Sequence, residues 1–269
     1  MNRQMLKVLL WKEWRETRWK WLAFFAAFHI PAIIGVLVFT FDKTVRFDIR
    51  VMNDGMVNSY LQGFLLVQSG FVITAGLFLI AFFAAGAVAP EIDNRSMFFL
   101  FERPIRRWHI LSMKFLVGAL QAMVCVGFSI ITTLTLGYLA LLAVSSGVTV
   151  PGSWHIYTSI VASGLRGTLW TGVIGLMVFS ATFLFSVIFE KWWVGVIAGA
   201  IALIGMFYFL GRQIFEWVLT NVTKGAGNGN GFDLNLYAQI DPIPILTMLL
   251  VTTAFYFSAQ YMFARKEMK

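Results

Sequence analysis

The residues best placed to bind another molecule lie in one charged segment, residues 90–114, which separates two long apolar runs. Pro90 and Glu91 open this segment and Pro104 divides it. Proline fits the first turn of a helix, and the helix dipole favours acidic side chains there. Pro104 disfavours a helical conformation of Arg103, so we expect the first helix to end there. The pattern predicts a short amphipathic helix, a break and a return to an apolar helix. Another protein could bind a segment of this shape.

Catalytic and nucleotide-binding motifs are not recognisable in this sequence. The glycine-rich stretch 225–231 lacks the Gly-Lys-Ser/Thr ending of a phosphate-binding loop. The three histidines, His29, His109 and His155, fall in different segments, which argues against a shared metal site. We therefore expect this chain to have no catalytic residues, no metal site and no cofactor of its own.

The composition is that of an integral membrane protein. The chain is 59% hydrophobic and 13% charged, whereas soluble domains are about a quarter charged. The interiors of the apolar runs contain no Asp, Glu, Lys or Arg. Because proton-coupled pumps and voltage sensors need ionisable groups within the membrane, this pattern argues against both classes. Cys125 is the single cysteine, which excludes an intramolecular disulfide and a thiolate metal cluster.

Six apolar runs are long enough to position the charged segment between membrane helices. A bilayer core about 30 Å thick needs about 20 residues of helix. We predict an all-α integral membrane protein with one transmembrane domain over residues 1–269. Its spans are residues 21–41, 64–89, 115–144, 168–189, 193–210 and 243–263. The long outer connection 211–241 has an apolar first half, which indicates a short helix dipping into the outer leaflet.

The first twenty residues predict an amphipathic helix lying in the membrane interface. Leu6, Leu10 and Trp14 fall on one side at helical spacing, and the charged residues, including Glu13, are expected to face water. Trp11, Trp14, Arg15 and Arg18 are the candidate interface residues. The alternative is a helix that anchors the chain and has no further role.

Two features inside the spans predict helix contacts. Pro31 should kink the first span, and His29 should bond a freed carbonyl or a neighbouring helix. Gly195 and Gly199 form a Gly-xxx-Gly pair that permits close helix packing, either within the chain or in a dimer.

The distribution of basic residues predicts the orientation. With the N-terminus inside, the inner segments hold six, five, one and three Lys or Arg, which makes fifteen of the 21, and the outer segments hold six. By the positive-inside rule, the charged segment and both termini lie in the cytoplasm.

The charged segment resembles that of ABC type-2 permeases, the membrane subunits of many bacterial ABC exporters. The matching residues are Glu91, Arg95, Leu100, Arg103, Pro104, Arg106 and Lys114. A looser resemblance covers the whole chain in its length, its basic amphipathic start, its six apolar runs and its long last outer loop. It implies re-entrant helices in that loop and a location in the bacterial cytoplasmic (inner) membrane.

The resemblance also implies a mechanism and partners. Residues 90–114 would form a coupling helix that docks on a separate ABC ATP-binding subunit, and that subunit would hold ATP and Mg. The implied contact residues are Glu91, Arg95, Met97, Phe98, Leu100, Arg103, Pro104, Arg106 and Arg107. Lipid phosphates are the alternative partners of the last two arginines. The N-terminal helix would lie beside the ATP-binding subunit, and a second permease copy or homologue would complete a dimer.

The expected function is therefore that of a permease subunit of an ATP-driven exporter with alternating access. An apolar or amphipathic cargo fits the composition. Two alternatives from other classes stay open: a non-transporting membrane scaffold or assembly factor of the same fold, and an integral membrane enzyme.

Overall fold

The computed structural model describes residues 3–41, 54–93, 107–144, 153–189, 191–202, 204–205, 208 and 242–265. Within these ranges every residue except Lys191 is helical, and no strand occurs. The helices are α1 (Arg3–Phe41), α2 (Asp54–Phe71), a π-helical turn (Val72–Gly76), α3 (Leu77–Asp93), α4 (Arg107–Val144), α5 (Ser153–Phe189), α6 (Trp192–Ala202) and α7 (Pro242–Arg265).

Five stretches of the described helices are long and apolar enough to cross a membrane, which confirms the all-helical membrane fold. They are Lys7–Val38, Tyr60–Ile92, Arg107–Ala143, Thr171–Phe189 and Ile245–Arg265. The predicted span 193–210 is represented by the shorter apolar helix α6. The count of six spans therefore remains a prediction. The predicted re-entrant segment in 211–241 lies outside the described residues.

Several helices extend beyond the predicted spans. α1 is one helix of 39 residues and passes without a break from the predicted interface segment into the first span. α4 begins at Arg107 and α5 at Ser153, before the predicted starts of their spans at residues 115 and 168. Backbone hydrogen bonds hold a helix together in lipid and in water alike, so it continues until a breaker intervenes.

Pro90 lies inside α3, so the expectation that a new helix begins at Pro90 is wrong. A proline within a helix leaves the carbonyl four residues earlier without its usual N–H donor. That carbonyl belongs to Gly86, and the Nζ atom of Lys20 on α1 lies 3.5 Å from its oxygen. The contact supplies a donor and ties α1 to the end of α3.

α4 is the central helix and packs against α1, α2, α3, α5 and α7. The larger hydrophobic core surrounds the first half of α4 and includes Phe28, Leu111, Phe179 and Phe263. A smaller core surrounds its second half and includes Leu61, Leu134 and Leu141. Cys125 is fully buried in the larger core, as its position in an apolar run suggested.

The Gly195 and Gly199 pair packs within the chain. A Cβ atom built on Gly195 would lie 3.2 Å from the Cα atom of Ser186, and one on Gly199 would lie 2.2 Å from the Oγ1 atom of Thr182. Ser186 and Thr182 are themselves one turn apart on α5. The two glycines therefore allow α6 to lie directly against α5 as a helical hairpin.

Candidate functional site

A buried ion cluster joins three helices at one end of the bundle. The Nζ atom of Lys114 lies 2.9 Å from the Oε2 atom of Glu13 and also bonds the Oε1 atom of Glu91. The side chain of Lys114 is 1% exposed, that of Glu13 is 5% exposed and that of Glu91 is 23% exposed. We call Glu13, Glu91 and Lys114 the ion triad. It links α1, the last turn of α3 and the first half of α4.

Helical spacing accounts for the position of each member of the triad. Lys114 follows Leu111 by three residues and precedes Gln121 by seven, so it shares the buried face of α4 with both. Glu91 is near the C-terminal end of α3. Glu13 belongs to the face of α1 that packs against α4. The expectation that Glu13 faces water is therefore wrong.

The triad joins the two helices that flank residues 94–106, the middle part of the predicted coupling segment. Glu91 lies three residues before residue 94, on α3, and Lys114 lies eight residues after residue 106, on α4. The bond between their side chains joins α3 to α4, and the bond to Glu13 joins Lys114 to α1. Because a buried ammonium group without a counter-charge is costly, this pairing strongly favours one arrangement of the three helices. A displacement of the segment would therefore be passed to α1 and α4 together.

A seam of polar and aromatic contacts continues from the triad along α1 and α4. Gln121 donates from Nε2 to the hydroxyl oxygen of Thr17 at 3.0 Å, and the Thr17 hydroxyl donates to the Glu13 carbonyl at 2.8 Å. Trp21 donates from Nε1 to the Gln121 carbonyl at 3.3 Å. Glu13, Thr17 and Trp21 follow one another at four-residue steps, so one stripe of α1 carries all these contacts.

The seam reaches His29, near the middle of α1. The Nδ1 atom of His29 lies 2.7 Å from the Phe25 carbonyl oxygen, and its Nε2 atom lies 3.3 Å from Oγ1 of Thr132 on α4. A carbonyl only accepts, so Nδ1 of a neutral ring donates to it and Nε2 accepts from the Thr132 hydroxyl. This confirms the prediction that His29 bonds a neighbouring helix.

A second polar cluster joins α4 to α7 at the same end of the bundle. The hydroxyl groups of Ser112 and Tyr256 are 2.8 Å apart. Gln260 donates from Nε2 to the Ser112 oxygen at 3.1 Å and to the Trp108 carbonyl at 3.3 Å. The last turns of α7 are therefore bonded to the first turns of α4.

Three carboxylates near the triad are close enough together to be considered as metal ligands. Oxygen atoms of Glu13, Glu16 and Glu91 lie within 4.8 Å of one another. Lys114 bonds two of these residues, and Lys12 lies 3.1 Å from the Oε2 atom of Glu16. Each of the three carboxylates thus has a lysine partner, and together these residues form a salt-bridge network.

The structure describes only part of the predicted contact set. Glu91 is half-buried in the triad, and Arg107 is exposed at the start of α4. Arg95, Met97, Phe98, Leu100, Arg103, Pro104 and Arg106 lie outside the described residues. Trp11, Trp14, Arg15 and Arg18 are all exposed on α1, and the structure brings none of the four into the triad. Their contact with a partner or with lipid remains a prediction.

Glu13 is not among the predicted site residues, and Lys114 is predicted only as the end of the charged segment and as one of the residues that match the permease family. The sequence carried a usable signal for Lys114, because this lysine occurs at helical spacing with Leu111 and Cys125, on what becomes the core face. A charged residue on a core face requires a partner. The identity of that partner depends on the packing of α1 against α4, and no local pattern contains that information.

Comparison with protein families gives one finding. The family model described as "ABC-2 family transporter protein" matches residues 8–243, which include α1 to α6 and the start of α7. Among curated proteins no match to the chain was found.

Proposed function

The chain belongs to the ABC-2 transporter family and is a multi-pass membrane subunit of an ABC permease, and from this premise we propose that it couples ATP hydrolysis by a separate subunit to export. Family members of this kind generally work with an ATP-binding subunit. In the proposal, residues 94–106 dock on that subunit on the cytoplasmic side. Two permease copies, or one copy and a homologue, enclose the transport path in the bacterial inner membrane.

The observation that carries this proposal is the ion triad. The helices on either side of the proposed docking segment are bonded to each other through Glu91 and Lys114, and Glu13 bonds Lys114 from α1. A push on residues 94–106 would reach α3 through Glu91 and α4 through Lys114. α4 contacts five other helices, so the movement would spread through the bundle. This arrangement suits alternating access, in which closure of the ATP-binding subunits rearranges the membrane helices.

Energy for transport would come from outside this chain. The sequence has no phosphate-binding loop. We propose that ATP and Mg bind to the partner and that this chain catalyses no reaction. Its own contribution is to hold the docking segment, transmit the displacement and form part of the path.

Co-purification in mild detergent from the native cell, followed by mass spectrometry, tests the proposal. We expect a Walker-motif ATPase in stoichiometric amount with the wild-type chain. The double variant Arg95→Ala with Arg106→Ala should capture several-fold less, because it removes two cations of the docking segment. Lys43→Ala with Arg46→Ala is the control, since the charge count assigns both cations to the outer side. Recovery of the wild-type chain alone at several detergent strengths would contradict the proposal.

A further inference from the structure

A groove opens between α1 and α2 in the half of the bundle remote from the triad. Its volume is about 770 Å³. Ile34 and Val38 line it on α1, Gly63 and Val67 line it on α2, and Thr133 of α4 lies at its base. Ile34 is 21 residues after Glu13 on the same helix, which corresponds to about 30 Å at the rise of an α-helix.

The shape of the groove is set by the packing of the helices around it. The ring of Phe64 lies between two glycines of neighbouring helices: a Cβ atom on Gly35 would lie 3.0 Å from its Cε1 atom, and one on Gly137 would lie 3.1 Å from its Cγ atom. The Phe64 ring is thus held in place as one wall of the groove. At Gly63, by contrast, an added Cβ atom would meet nothing within 4 Å, because the groove is open there.

The lining is almost entirely hydrocarbon. None of the described residues that line the groove is charged, and the Thr133 hydroxyl donates to the Ser129 carbonyl of its own helix at 2.7 Å. Ile34 and Val67 are 54% and 57% exposed at the outer side of the helices. Both helices belong to stretches of membrane-spanning length. The groove therefore opens sideways at the depth of the bilayer core, where acyl chains are the surrounding solvent.

We propose that this groove binds one acyl chain of a membrane phospholipid and recognises the chain and not the headgroup. A concave apolar site makes more dispersion contacts with a hydrocarbon chain than the convex face of a helix does. Residues in the groove should therefore retain a chain, while equally exposed neighbours on the same helices exchange lipid freely. This site is separate from the triad and does not depend on the proposed transport function.

The chain offers matched residues for a direct test. In lipid nanodiscs, phospholipids with a diazirine in one acyl chain are irradiated, and adducts are located by mass spectrometry. Ile34 lines the groove and is 54% exposed, and Ile33 does not line it and is 52% exposed. Val67 and Leu66, at 57% and 54% exposure, form a second such pair on α2. We expect at least fivefold more adduct on Ile34 and Val67 than on Ile33 and Leu66.

Two glycine variants test whether filling the groove prevents labelling: one fills the groove, and the other adds the same side chain outside it. Gly63→Phe places a ring in the groove and should reduce the Ile34 adduct at least fivefold. Gly70→Phe is the control, because Gly70 is also exposed on α2, meets nothing within 4 Å and does not line the groove. Gly63→Leu fills less of the groove and should also reduce the Ile34 adduct. It is used if the phenylalanine variant is not monodisperse.

Three results would overturn the inference: equal adducts on Ile33 and Ile34, labelling of Gly63→Phe at the wild-type level, or labelling that occurs with only one of phosphocholine and phosphoglycerol headgroups. The last result would mean that the headgroup is recognised. The measurement uses neither ATP nor an ATP-binding subunit, so its failure leaves the proposed transport function unaffected.

Discussion

Lys114 shows how one buried charge can define a junction between helices. Its ammonium group has two carboxylate partners, on α1 and on α3, and its side chain is almost fully buried. Lys12 makes a more exposed contact with Glu16, at 3.1 Å, with side chains 31% and 46% exposed, and its Nζ atom also lies 3.7 Å from the Oε1 atom of Glu13. Surface pairs of that kind contribute about 0–1 kcal/mol. The two lysines therefore provide a buried and an exposed case of the same chemistry within one protein.

Lys114→Met should destabilise the protein strongly. The substitution keeps the length of the side chain but leaves Glu13 buried without its counter-charge, a loss of about 3–5 kcal/mol. Thermal unfolding in detergent, followed by size-exclusion chromatography, measures the effect. Lys7→Met is the control, because Lys7 is an exposed lysine on α1 outside the triad, and it should change stability by less than about 1 kcal/mol. An equal, small shift for both variants would show that the triad does not hold the helices together.

Individual contact residues were only partly predictable. Glu91 was identified from its place at the start of the charged segment, but its intramolecular partner Lys114 was not. The sequence pattern places Glu13 on the water-facing side of the helix, because Leu6, Leu10 and Trp14 fall on the other side at helical spacing. Its burial depends on α1 lying parallel to α4, and that relation appears only in three dimensions. The His29 contact was predictable because a polar side chain in an apolar span needs a hydrogen-bond partner.

At the level of helices, apolar runs predicted which elements exist but not where they end. Hydropathy reports the part of a helix that meets lipid, whereas backbone hydrogen bonds can extend the helix beyond that part. This explains why α1 and α5 exceed the predicted spans. The Gly195 and Gly199 pattern predicted close packing correctly, but the choice between a contact in the chain and a dimer contact required the position of α5.

Gly199→Ala should loosen the α5–α6 hairpin. The new methyl group would lie 2.2 Å from the Thr182 Oγ1 atom, so one helix must shift. Overpacking of this kind costs about 1–3 kcal/mol. Gly205→Ala is the control, because a Cβ atom there meets nothing within 4 Å. Adding Thr182→Ala to Gly199→Ala should recover part of the loss in a thermal melt. Equal stability of the Gly199→Ala and Gly205→Ala variants would contradict the packing described for the hairpin.

At the level of the whole molecule, contacts bring together the segments that the charge count assigns to the inside. Glu13, Glu91 and Lys114 join the start of α1, the end of α3 and α4. Gln260, near the end of α7, bonds Trp108 at the start of α4. The ring centroids of Trp192, at the start of α6, and Phe82, on α3, are 6.2 Å apart. The topology thus agrees with the prediction from charge, while the side of the membrane on which this end lies is a proposal.

Cysteine labelling tests that orientation. Cys125 is fully buried, so an impermeant maleimide should leave it unlabelled in the folded protein. Lys191→Cys and Thr158→Cys add exposed thiols near opposite ends of α5. With the triad end in the cytoplasm, intact cells should label only Thr158→Cys, and inside-out vesicles only Lys191→Cys. The reverse pattern would invert the orientation and place the docking segment outside.

The central claim is that ATP-driven movement reaches the membrane helices through the ion triad. The most direct test is the ATPase rate of the captured ATP-binding subunit in complex with wild-type chain, Lys114→Met, Lys114→Arg or the control Lys43→Met, whose lysine the charge count assigns to the outer side. Only monodisperse complexes with equal amounts of both subunits are compared, which removes misfolded protein. We predict that Lys114→Met loses most of the stimulation by the permease, that Lys114→Arg retains part of it, and that Lys43→Met matches the wild type. Full stimulation by a folded Lys114→Met complex would contradict the claim.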